Sequence, residues 1–206
     1  LGPDSIGILV ADVSGHGLGP ALLMAQTQAH LHALAETYAD PGELVARTNR
    51  LFARRDSGHF VTMFLGRLDV VTRSFDYVGA GHQAYLIAND GAVRVLRSHC
   101  IPLGVEKTMT HCPTSKFTFE AGDILVVPTD GAEEAMSIDG RQFGRKRIFD
   151  LVRNNTDRPA IEIVEALFRA ARDFAEGRSQ VDDITAVVTE VLPASPAKMS
   201  AKLAGC

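Results

Sequence analysis

Hydrophobic and polar positions change period several times along the chain, and each change marks an element. The apolar run Ile6-Gly7-Ile8-Leu9-Val10-Ala11 stops at Asp12-Val13-Ser14-Gly15-His16-Gly17, which reads as a strand ending in a glycine-rich turn. From Pro20 the spacing turns helical, and Leu22, Leu23, Ala25, Ala29, Leu31, Leu34 and Ala35 predict a long helix to about residue 38. A second helix restarts at Asp40-Pro41-Gly42-Glu43, where Asp40 suits the cap, Pro41 the first position and Glu43 the third, with Leu44, Val45, Leu51 and Phe52 as its apolar face. From Phe60 the pattern becomes strand-like, predicting strands over 60–69, 74–79, 84–88, 92–96, 115–120, 123–129 and 184–191. Asn89-Asp90-Gly91 is a strong hairpin turn between two of them. Helical spacing returns over 144–153 and 160–174, the latter carrying Ile161, Val164, Leu167, Phe168 and Ala171. Hairpin-linked strands with helices before and after them predict an antiparallel α+β sandwich and not a parallel βαβ series.

Composition narrows this picture without redirecting it. A chain of 206 residues with 46% hydrophobic content is long enough for one domain with a real core. A net charge of −4, with no segment dense in Lys or Arg, argues against a nucleic-acid partner. No apolar stretch approaches the roughly 20 residues that cross a bilayer, and no basic-then-apolar leader opens the chain, so a cytoplasmic location is expected. Cys100, Cys112 and Cys206 are odd in number and irregularly spaced, and read neither as a disulfide framework nor as a zinc site. The start at Leu1, almost directly in a strand, suggests a piece of something longer. Residues 193–206, rich in Ala, Ser, Pro and Lys, read as a disordered tail after a domain spanning 1–192.

The candidate chemistry lies in acids at strand ends. Asp12 ends one apolar run, Asp130 in Thr129-Asp130-Gly131 follows another (Ile124-Leu125-Val126-Val127), and Asp182-Asp183-Ile184-Thr185 precedes a third. Carboxylates beside glycine turns suit a divalent cation, or a phosphate held by one. Each acid alone is an ordinary turn former; together they predict one site. Of the neighbours Asp182 and Asp183, which point to opposite sides of a strand, Asp182 is the preferred ligand. The glycine turns have no Gly-x-x-x-x-Gly-Lys-Ser/Thr and no Gly-x-Gly-x-x-Gly in the needed context, so a nucleotide-binding reading is weak.

Taken in order, Asp12-Val13-Ser14-Gly15-His16-Gly17 with Pro20-Ala21-Leu22-Leu23-Met24, Phe60-Val61-Thr62-Met63-Phe64, Gly79-Ala80-Gly81-His82, Pro102-Leu103-Gly104, Thr129-Asp130-Gly131 and Asp182-Asp183-Ile184-Thr185 resemble the metal-dependent serine/threonine phosphatases of the SpoIIE/RsbU branch. The resemblance implies an αββα four-layer sandwich of two antiparallel sheets flanked by helices, with a two-metal Mn²⁺ or Mg²⁺ site at one edge that activates a water for attack on phosphoserine or phosphothreonine. Carried over by position, Asp12 would bridge the metals and the Val13 carbonyl would ligate one. Asp130 and Asp182 would be further ligands, and Asp183 either a ligand or a support for one. In the family another acid, in a Gly-Gly-Asp-type motif on an earlier strand, completes the site, and no residue here matches it; the expected cause is omission of the first strands from this chain. His16 has two readings, a general acid for the leaving serine oxygen or a turn histidine bonded to backbone. His82 reads as structural or as lining the site.

Two functions follow from the resemblance. One is a phosphatase acting on a phosphorylated anti-sigma-factor antagonist, a small regulatory protein carrying phosphoserine. The other is a catalytically silent regulatory or docking module that keeps the fold with an incomplete metal site. The family also implies an upstream sensory domain and places a regulatory switch, often with a homodimer contact, on the two helices after the first strand.

Overall fold

The alternation of the strands dictates the layering seen in a computed structural model, which describes residues 4–52, 58–176 and 183–193. Among these residues the order is β1 (Ser5–Val13), α1 (Leu18–Ala35), α2 (Pro41–Phe52), β2 (Val61–Asp69), β3 (Ser74–Ala80), β4 (Ala84–Ile87), β5 (Val93–Leu96), β6 (Ser115–Thr118), β7 (Ile124–Pro128), α3 (Asp130–Glu133), α4 (Gly144–Arg153), α5 (Ala160–Phe174) and β8 (Ala186–Glu190). Antiparallel pairing builds one sheet in the order β1-β2-β3-β6 and a second in the order β5-β4-β7-β8.

Both sheets are covered on both faces, which is why their strands are nearly continuous in apolar residues. On β7, Ile124 and Val126 pack with Ile148, Val152, Ile163 and Leu167 of α4 and α5. Leu125 and Val127 point the other way, into a layer shared with Ile8, Val10, Phe64 and Tyr77 of the first sheet. The outer face of that sheet, through Val61, Met63 and Val78, meets Leu23 and Leu31 of α1 and Leu44, Val45 and Phe52 of α2. Three apolar layers between four layers of structure make the expected αββα sandwich. Each fully buried aliphatic or aromatic side chain stabilises by about 1.5–3 kcal/mol. An exposed ion pair such as Arg47–Glu43 adds at most about 1 kcal/mol, so the layers and not the surface charges hold the fold.

The helix starts follow their local chemistry. Asp40 Oδ1 accepts from the Glu43 amide at 2.8 Å, the cap expected for α2. α1 starts at Leu18, behind Gly17, and ends at Ala35, three residues short of the expected end. Only Pro20, Leu23, Thr27 and Leu31 of α1 are buried; Leu22, Ala25 and Ala29, which supported the helix by their spacing, face outward.

The cysteine expectation fails at one pair: Cys100 and Cys112 are joined by a disulfide, with Cα atoms 5.9 Å apart. Irregular spacing carried no signal because folding, not sequence distance, brings them together. Cys100 bridges to Ala80 on β3, and the long β5–β6 connection returns along α2, where the Gly42 amide donates to Thr114 Oγ1 at 3.1 Å and Asn49 Nδ2 to the Glu106 carbonyl at 2.7 Å. The expected tail lies outside the described residues from 194 onward.

Closing a loop of this size removes about 3 kcal/mol of entropy from the unfolded chain. Reduction of Cys100–Cys112 is therefore expected to lower the unfolding free energy by about that amount, read as a shift in the urea midpoint with and without reductant.

Candidate metal centre

Asp12 is the penultimate residue of β1, paired with Thr62 across the sheet, and the chain turns immediately after it. The turn is clamped from the β2 side. The Ser14 amide donates to the Phe60 carbonyl at 2.9 Å, the Phe60 amide donates to Ser14 Oγ at 2.9 Å, and His59 Nδ1 reaches the Ser14 carbonyl at 2.8 Å. Gly15 and Gly17 take φ of +85° and +96°, a region that side chains disfavour. A Cβ at Gly17 would meet nothing within 4 Å, so the mouth of the turn is open to solvent. His16 is exposed in this turn.

His82, just beyond β3 and only 8% exposed, joins the two sheets at this edge. Its Nε2 lies 2.9 Å from the Pro128 carbonyl, which can only accept, so the proton sits on Nε2. Nδ1 is then an acceptor, 3.4 Å from Thr62 Oγ1, and the single Thr62 hydroxyl proton is shared between it and the Asp12 carbonyl, also 3.4 Å away. The chain Asp12–Thr62–His82–Pro128 thus runs from the end of β1 to the end of β7. Burial pushes the His82 pKa below its usual value, outweighing the Pro128 bond and the nearby Asp130 and Glu133 carboxylates, which favour the cation.

Asp130 is exposed at the start of α3, two residues beyond Pro128. Buried Thr129, before it, fastens the strand that follows the Asp182-Asp183 pair. Its amide donates to the Thr185 carbonyl at 2.8 Å, its hydroxyl lies 3.2 Å from the Asp183 carbonyl, and the Thr185 amide donates to Thr129 Oγ1 at 2.9 Å. The structure therefore brings Asp12, Asp130 and Asp183 to one edge of the sandwich. Asp182 lies outside the described residues.

Among the supports of this edge, Ser14, Thr62 and Thr129 lie inside the quoted motifs but were given no role, and sequence reasoning did not single out His59 or a network on α3. There Glu133 accepts a short hydrogen bond from the Tyr85 hydroxyl on one carboxylate oxygen, and Arg145 Nε donates to the other at 2.8 Å. Burial, followed by this bond, raises the Tyr85 pKa, and the Glu133 bond raises that of Arg145. Tyr85 and Glu133 had proximity to Gly81-His82 and Thr129-Asp130 as their only sequence signal, and Arg145 had none.

Among the described residues no group of three or more His, Cys, Asp or Glu side chains is gathered closely enough to hold an ion. The donor chemistry nevertheless fits a hard cation. Asp12, Asp130, Asp183 and the Val13 carbonyl offer oxygen only, while both nitrogens of His82 are already engaged with Thr62 and Pro128. A donor set of carboxylate and carbonyl oxygens without thiolate suits Mg²⁺ or Mn²⁺ over Zn²⁺.

The fold is that of the PP2C-type phosphatase domains. The PP2C domain of SiaA from Pseudomonas aeruginosa superposes with a TM-score of 0.81 at 23% identity, covering 92% of this chain and 76% of that one. The PP2C phosphatase domain of SpoIIE from Bacillus subtilis, solved with a fragment of its regulatory domain, gives 0.76 at 19%, covering 91% of this chain and 55% of that one. The model of the family described as stage II sporulation protein E (SpoIIE) matches residues 2–192, and the chain belongs to that family. Among its relatives, the phosphoserine phosphatase RsbU of Bacillus subtilis is 26% identical over 188 residues, covering 90% of this chain and 55% of RsbU. The phosphoserine phosphatase RsbP of the same organism is 25% identical, covering 90% of this chain and 45% of RsbP. This chain thus spans about half the length of the curated relatives it matches.

Because the His82 pKa is lowered in the folded state, the unfolded chain binds the extra proton first as pH falls below the ordinary value of 6.5. The stability tied to neutral His82 is complete above that pH and is lost as pH drops towards the folded value. Unfolding free energy is expected to fall below pH 6.5, and in His82→Gln, whose amide can both donate and accept but does not titrate, the slope should be shallower in a urea–pH series.

Proposed function

We propose that this chain is the catalytic domain of a metal-dependent phosphoprotein phosphatase that hydrolyses phosphoserine in a small regulatory protein of the anti-sigma-factor-antagonist type. The observation that carries it is the edge itself: Asp12, Asp130 and Asp183 come from separate elements and are held there by Thr62, His82 and Thr129, in a member of the SpoIIE family. Asp12, the Val13 carbonyl, Asp130, Asp182 and Asp183 would hold two Mn²⁺ or Mg²⁺ ions. When bound, such ions lower the pKa of water and neutralise charge on the transferring phosphoryl group.

The chain's own groups supply placement. β1 delivers Asp12 from a covered sheet, and β7 ends at Pro128, two residues before Asp130 at the start of α3. The open Gly15–Gly17 turn leaves room for the backbone of a phosphoserine segment to approach. His82 acts as a bridge and not as a proton donor, since its proton is committed to Pro128. Of the two histidines, exposed His16 would be the one to protonate a leaving serine oxygen.

The phosphatase domain extends over 1–192, with 193–206 as an appendage. An upstream sensory domain acting through α1 and α2, and a homodimer built on them, suit a chain that spans about half of its relatives and whose 18-residue α1 contains no Asp, Glu, Lys or Arg. The working location is the cytoplasm; among the described residues no helix is long and apolar enough to cross a membrane.

The test is phosphate release from a phosphoserine protein in millimolar Mn²⁺, with and without EDTA. Turnover should require Mn²⁺, and Asp12→Asn or Asp130→Asn should each lower it by more than the roughly 10–100-fold typical of losing a ligand's supporting partner. Absent turnover in the full gene product would instead favour the silent docking module, and Mn²⁺-independent turnover would overturn the metal mechanism.

A further inference from the structure

α3 cannot hold itself in place. It has four residues, no side-chain hydrogen bond at its Thr129 cap, and too few turns to repay the cost of nucleating a helix. Yet its first residue is Asp130, whose direction decides whether the edge acids can act together.

What fixes it is one turn further on. Glu133 lies three residues after Asp130 and has both carboxylate oxygens taken, one by the Tyr85 hydroxyl and the other by Arg145 Nε at 2.8 Å. Tyr85 is fully buried on β4, paired with Val126 of β7, and its ring meets Phe149 of α4 edge-on at 4.8 Å. Arg145 opens α4, and the Gln83 amide oxygen, turned towards it, accepts from Nη2 at 2.6 Å. Gln83 in turn follows His82. The network therefore ties α3 to the second sheet, to the outer helices and to the residue beside the inter-sheet bridge. Arg145 also neutralises a carboxylate that would otherwise sit one turn from Asp130, either repelling it or competing for its cation.

We propose that Glu133, anchored by Tyr85 and Arg145, is the positioning residue that holds Asp130 in its metal-binding orientation. It does not touch substrate or cation; it acts through the single turn of α3. The inference rests on the metal-centre reading above, and one arm of its test is independent of that reading.

The variants are Tyr85→Phe, which keeps the buried ring and removes only the hydroxyl, and Glu133→Ala, made in the full chain. Mn²⁺ affinity is measured by titration calorimetry, and amide hydrogen exchange is followed over 130–134 and over β1 in metal-free protein. Each variant should bind Mn²⁺ roughly 10-fold or more weakly, the scale for a lost supporting partner of a ligand. Exchange should speed up at the Ala132 and Glu134 amides, which bond to the Thr129 and Asp130 carbonyls, while β1 keeps its protection. Glu133→Gln, which retains an acceptor for Tyr85, should recover part of the affinity lost in Glu133→Ala.

Unchanged Mn²⁺ affinity and unchanged exchange over 130–134 in both variants would overturn the tether. Equal acceleration in β1 would overturn it as well, by showing general loosening of the fold. A wild-type chain that binds no Mn²⁺ would overturn the metal reading alone, and the exchange arm would still decide whether Glu133 fixes α3.

Discussion

The edge of this sandwich depends on one buried imidazole. Two sheets stacked face to face are held firmly through their middles by interdigitated side chains, but their ends diverge as each sheet twists. His82 closes that divergence at one end, accepting towards Thr62 on the first sheet and donating to Pro128 on the second. Because it is neutral, buried and committed at both nitrogens, it fixes the separation of β1 from β7 without adding a charge beside the acids. A lysine or arginine there would also reach across, but it would offer no acceptor and would pair with the nearest carboxylate. An apolar side chain would leave the Pro128 carbonyl without this partner, at a cost of about 1–3 kcal/mol for a buried polar group.

Around that bridge the fold separates what must be rigid from what must be open. Interior positions of β2, β3, β4 and β7 are buried on both faces, whereas Asp130 and Asp183 are exposed and Asp12 is half-buried at the strand end. Asp12 lies at the end of the β1–β2 ladder and takes its placement from that strand, while Asp130 and Asp183 lie just outside β7 and β8, where their oxygens remain accessible. Backbone polar groups freed at these ends are satisfied by neighbouring side chains. Ser14 Oγ takes the Phe60 amide, and Thr129 Oγ1 takes the Thr185 amide.

Much of this was readable from residue order. Every predicted strand and helix has a counterpart, because doubly covered strands are long apolar runs and outer helices carry one apolar stripe. The apolar runs also placed Asp12 at the end of one strand and Asp130 just beyond another, as the structure has them. What escaped depended on contacts between residues far apart in the chain. Cys100 and Cys112 meet because a loop folds back along α2, and no rule of spacing encodes that return. α3 has four residues and therefore no periodicity to detect. Glu133 was not singled out, because a pairing with Tyr85, 48 residues earlier, and with Arg145 leaves no local trace. The outward face of α1 misled in the opposite sense: Leu22, Ala25 and Ala29 fit a helical stripe, yet α1 meets the sheet mainly through Leu23, Thr27 and Leu31.

The same edge lies on the rim of the sandwich and not in a cavity. Asp130 and Asp183 are exposed and Asp12 is half-buried, so water screens the repulsion among them. Among the described residues they do not close into a group of three or more that would hold an ion by itself. A cation that binds only the folded chain would stabilise it by about 2.7 kcal/mol at a hundred times its dissociation constant. That gain would add to the three apolar layers beneath the edge, where His82 bridges the sheets as a neutral group and Arg145 already neutralises Glu133.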